Sequence, residues 1–140
     1  MNTFLVILIS SLASAVVGSL LLWIGLGIYP GSTAGFDLSV YVSILCFSCA
    51  GVFITGCIAL PLTATFIKTI QSPKSMAIIA AVGGAIIYLC VNVLIASLSG
   101  ERVIVSFFRS GAFLFPVLVG LLFGGCFGYA YKYFRLLLFP

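Results

Sequence analysis

Residues 75–100 read SMAIIAAVGGAIIYLCVNVLIASLSG, and no side chain in that run carries a charge. A bilayer-crossing helix needs about 20 apolar residues, so this stretch is long enough to span. The same test applied outward finds three more uncharged tracts, Met1 to Phe36, Leu38 to Ile67 and Ser110 to Tyr131. Only 6% of the chain is charged and 64% is hydrophobic, whereas soluble domains run near 25% charged. A soluble protein of this size could not hide that much apolar surface. Backbone polar groups must be satisfied inside lipid, which leaves helices or a closed barrel. Barrel strands would alternate polar and apolar residues over about ten positions, and these runs are continuous. The expected fold is all-α, a four-helix transmembrane bundle forming one domain, with spans at about 4–28, 38–66, 73–98 and 111–131.

Local signals place the ends of these spans. Tyr29-Pro30-Gly31-Ser32 is a turn with an interfacial aromatic. Asp37 suits the N-cap of the second helix, where its carboxylate can take free N–H groups at the positive end of the dipole. Pro61 removes a backbone bond late in that helix and is expected to bend its exit toward Lys68. Ser72-Pro73 is a serine N-cap followed by proline at the first helical position. The stretch Val103 to Arg109 is too short to span and is expected to lie in the interface. Tyr129, Tyr131, Tyr133, Lys132 and Arg135 form an aromatic-basic anchor after the last span.

Six basic residues against two acidic ones do not mark a nucleic-acid surface, because the cations sit singly at span ends. Lys68, Lys74, Lys132 and Arg135 share one side of a four-span topology. Arg102 and Arg109 lie on the other, with Asp37 and Glu101. The excess of Lys and Arg predicts that both termini are cytoplasmic.

Helix association in lipid depends on close packing and hydrogen bonds, so small residues mark contact faces. Gly120, Gly124 and Gly128 recur every four residues in the last span. Gly84, Tyr88 and Asn92 share that spacing in the third, between Ala80 and Ala96. Ser14 and Gly18 follow Ser10 in the first. These residues are the candidate packing or partner-binding positions, and the spacing serves contacts within one bundle as well as contacts with another chain. Asn92 is the most polar side chain well inside a span. It is expected to bond a serine or threonine of a neighbouring helix, or else to serve a ligand or pore.

Catalytic chemistry has little to work with. The absence of histidine removes Ser-His dyads and histidine-ligated metals. Asp37 and Glu101 look like a helix cap and a loop partner of Arg102. Cys46, Cys49, Cys57, Cys90 and Cys126 all fall inside spans, where thiols act as small hydrophobes. Cys46 and Cys49 have C-x-x-C spacing but lack a cation or helix N-terminus to lower their pKa. No enzyme activity, cofactor or metal is expected.

The second half resembles small uncharacterised four-helix bacterial inner-membrane proteins. The resemblance rests on Leu60-Pro61, Gly83-Gly84 and Gly124-Gly125-x-x-Gly128-Tyr129, and implies an inner-membrane setting. Size and span count are also similar to immunity proteins against membrane toxins, by architecture only. The expected function is binding of a partner within the bilayer, as an accessory subunit or an immunity-type protein. The partner would be another membrane protein or a second copy, and not nucleic acid. The alternative is a small homo-oligomeric channel or carrier for an ion or small solute.

Overall fold

A computed structural model of the chain describes residues 2–28, 37–62, 69–70 and 72–138. The described residues form five helices: α1 (Asn2–Ile28), α2 (Leu38–Leu62), α3 (Pro73–Leu98), α4 (Glu101–Arg109) and α5 (Leu114–Leu138). Four of them, all but α4, are long and apolar enough to cross a membrane. The chain is an all-α membrane protein.

The helix ends follow from local chemistry. The Asp37 carboxylate accepts the Ser39 N–H at 2.8 Å, satisfying one of the free donors of the first turn. The Trp23 indole donates to the Asp37 carbonyl at 2.9 Å, and its ring lies 5.6 Å from that of Tyr41. This ties the end of α1 to the start of α2. Ser72 caps α3 in extended backbone, and its Oγ accepts the Ser75 N–H at 3.2 Å. Gly100, at φ 116°, turns the chain from α3 into α4. Few residues other than glycine tolerate that conformation. On α4, Arg102, Ser106 and Arg109 share one face, while Val103, Ile104, Phe107 and Phe108 share the other, the pattern of a helix lying in an interface.

One expected span differs in extent, and another runs beyond the described residues. The second was expected to reach residue 66. Described helix ends at Leu62, and residues 63–68, with the exit toward Lys68, lie outside the described residues. The Tyr29–Ser32 turn lies outside them as well. The last span starts later than residue 111 and ends well beyond 131. Gly111, at φ 74°, belongs to a turn, and Pro116 falls in the first turn of α5, where its missing N–H removes no helical bond. At the far end the aromatic-basic anchor is itself helical: Tyr129 and Tyr133 stack one turn apart, 6.3 Å between centroids.

Neighbouring long helices run antiparallel. The tightest pair is α3 with α5, and α1 packs against both α2 and α5. The order in space is therefore α2, α1, α5, α3. The core gathers Val6, Ile7, Val52, Ile70, Met76, Phe123, Phe127 and Tyr131. Four serines of α1, Ser10, Ser11, Ser14 and Ser19, are buried beside it. The Ser14 hydroxyl donates to the Phe123 carbonyl at 2.9 Å, joining α1 to α5. Ser11 and Ser19 donate to carbonyls of their own helix, Ile7 and Ala15. The Ser10 hydroxyl is buried without a partner among the described residues.

Candidate functional site

The bundle is not closed. α2 and α3, the outer members of the row, share no packed interface comparable to the other neighbouring pairs, and α2 touches α5 only sparingly. Between them lies a cleft of about 210 Å³. Val52, Thr55, Gly56 and Ala59 form its α2 wall, and Met76, Ile79, Gly83, Ile87 and Tyr88 most of its α3 wall. Phe123, Gly124 and Phe127 of α5 form the floor. Tyr88 spans one end: a Cβ placed on Gly51 would lie 3.5 Å from the Tyr88 hydroxyl.

Phenyl rings seated on glycines build the floor. Phe123, 1% exposed, lies so close to Gly18 that a Cβ there would stand 2.6 Å from its ring. Phe127 sits against Gly56 in the same way, at 2.9 Å. Gly83 is different, since a Cβ there would meet nothing within 4 Å. Its side of α3 faces the open cleft.

The residues singled out from sequence fall into three groups. Gly120, Gly124 and Gly128 pack against the α3 backbone, at Gly84, at Ala80–Ala81 and at Met76 with Ala80. That stripe, with Gly84, is used inside the single chain. Ser14 and Gly18 both meet Phe123. Tyr88 lies on the cleft, which Gly84 and Gly124 also line. Asn92 departs from expectation. Its amide donates to the Tyr88 carbonyl at 2.8 Å, within its own helix, and not to a serine or threonine across an interface. A helical carbonyl four residues back is always within reach of a short amide side chain, whereas a cross-helix partner must be brought there by packing.

Phe123, Phe127 and Gly56 are not singled out from the sequence, and Gly83 enters only through the Gly83-Gly84 pair of the resemblance. The four-residue spacing of Phe123 and Phe127 was available as a signal, but aromatics in a span ordinarily read as lipid-facing bulk. The cysteines are all free, with Cys46 and Cys90 exposed and the other three half-buried.

The described residues define a bundle of four long apolar helices with a lateral apolar cleft between α2 and α3. No protein-family model, curated protein or solved structure matches this chain.

Proposed function

We propose that this chain is a non-catalytic membrane protein that binds a partner within the bilayer, along the edge between α2 and α3. The observation that carries this reading is the open row of helices. The glycine stripe of α5 is consumed by α3, while the unclosed edge leaves small residues open to another chain, Gly83 and Thr55 among them. In lipid such small-residue surfaces are where a further helix gains close contact. An accessory subunit or an immunity-type protein would work this way, in the bacterial inner membrane with both termini cytoplasmic. The cleft is walled almost wholly by carbon, with Thr55 and Tyr88 as its side-chain hydroxyls, which gives less support to an aqueous path.

Photo-cross-linking in cells tests the reading. A photoreactive residue replacing Ile79 on the cleft wall should give a discrete adduct. The same residue replacing Leu12, exposed on α1, should not. Equal labelling at both positions, or none at either, would sink the proposal.

A further inference from the structure

The short helix α4 carries charge that the bundle does not use, and its place in the chain fixes its depth. α3 has 26 residues, about 39 Å at the helical rise per residue. The hydrocarbon core is about 30 Å thick, and the headgroup layers bring the bilayer to about 40–45 Å. The end of α3 at Leu98 therefore reaches a headgroup layer, and α4 starts just beyond it at Glu101. Gly100 and Gly111, both at positive φ, turn the chain into and out of α4. The helix is thus held at that depth from both ends, by α3 before it and α5 after it.

Its two faces suit the boundary between hydrocarbon and phosphate. Ile104 and Phe107, at the centre of the apolar face, are half-buried, while Val103 and Phe108 at its edges stay exposed. On the opposite face Arg102, Ser106 and Arg109 follow one another at four and three residues, the spacing of neighbours on one strip. They line a shallow groove together with Glu101, Val105 and Ser110. The two arginines lie about 10 Å apart along the axis, with the Ser106 hydroxyl between them. Both are exposed.

Neither arginine is neutralised by the chain. The expected pairing of Glu101 with Arg102 is not made, since consecutive residues of a helix point in different directions. Among the described residues neither guanidinium has a carboxylate or other hydrogen-bond partner. The chain's other acid, Asp37, is engaged at the start of α2. Two planar forks on one strip, weakly hydrated and able to bond oxygens in pairs, match phosphate.

We infer that the Arg102, Ser106 and Arg109 strip of α4 holds the phosphate of an anionic phospholipid. The headgroup layer presents phosphate beside hydrocarbon at the depth where α4 shows a cationic face and an apolar one. A zwitterionic lipid brings its own ammonium group next to the phosphate, which competes with the arginines. The site stands apart from the α2–α3 edge and does not depend on partner binding there.

Native mass spectrometry of the full chain, delipidated in mild detergent and mixed with dioleoyl phosphatidylglycerol or dioleoyl phosphatidylcholine, tests the inference. Phosphatidylglycerol should bind in preference to phosphatidylcholine. Arg102→Gln and Arg109→Gln change exposed side chains outside the packed bundle. Each should weaken phosphatidylglycerol binding by about fivefold, the worth of one cation near an anionic lipid, at an unchanged melting temperature. Glu101→Gln removes the acid on the groove and should tighten binding. Lys74→Gln, which removes an exposed cation at the opposite end of the bundle, should leave it unchanged. Equal binding of the two lipids overturns the inference. So does a loss in Lys74→Gln equal to that in the arginine variants, which would mean that net charge alone is read. Displacement of the lipid by inorganic phosphate overturns it in favour of a free anion, and displacement by oligoglutamate in favour of an acidic protein segment.

Discussion

Gly84 of α3 and Gly120 of α5 face each other so closely that the carbonyl oxygen of each occupies the place where a Cβ on the other would stand. The relation is reciprocal and joins two backbones with no side chain between them. Approach of this kind gains dispersion and weak Cα–H···O contacts, the forces available to helices in lipid.

Gly120→Ala should therefore lower stability by about 1–3 kcal/mol, the usual cost of overpacking. Gly25→Ala is the matched control. It adds the same methyl group where nothing lies within 4 Å, and should be neutral or slightly stabilising. Thermal unfolding in detergent reads both, and equal melting temperatures would show that the α3–α5 contact is looser than described.

The buried serines of α1 should respond in opposite directions. Ser14→Ala loses the bond to the Phe123 carbonyl and should cost about 0.6–2 kcal/mol. Ser10→Ala removes a buried hydroxyl without a partner among the described residues and should raise the melting temperature, since such a group is a liability. A loss of stability in Ser10→Ala would mean that this hydroxyl is bonded after all.

Asp37 sets an acid response at the start of α2. The Ser39 N–H, and then the Ser39 side chain, stabilise its ionised form and hold the carboxyl below its ordinary range. A depressed folded pKa contributes stability that is fully present above the unfolded value of about 3.9 and is lost as pH falls through the lower folded value. Amide exchange at Ser39 and Tyr41 should accelerate across that acid window relative to Asp37→Asn, which caps without titrating. Identical pH profiles in the two proteins would remove Asp37 from the account.

Both termini should be cytoplasmic, because Lys and Arg are in excess at that end of the bundle. A phosphatase that works only in the periplasm should be silent when fused at Pro140 and active when fused after Gly35. The reverse pattern would invert the topology.

Much of the architecture was legible along the chain. The absence of charge marks four spans, and Asp37 and Ser72-Pro73 mark two helix starts, because each signal acts within a few residues of itself. The last span was misjudged at both ends. Gly111 turns where a helix was expected to begin, and the charged side chains of Lys132 and Arg135 do not stop a helix already under way. Asn92 was read as a cross-helix donor because its polarity was visible and its nearest carbonyl was not. The cleft had no sequence signature: Gly56 and Gly83 look like any other small residues until their neighbours are known.

What the sequence determined by itself is the solvent and the number of long helices, since transfer to lipid and capping depend on each segment alone. Tertiary structure alone decided the order α2, α1, α5, α3, the pairing of Gly120 with Gly84, and the gap left between α2 and α3. Every one of these helices is apolar around most of its surface, so hydrophobicity cannot rank their possible neighbours. In lipid that ranking falls to steric fit, which depends on two backbones at once and is written in neither one separately.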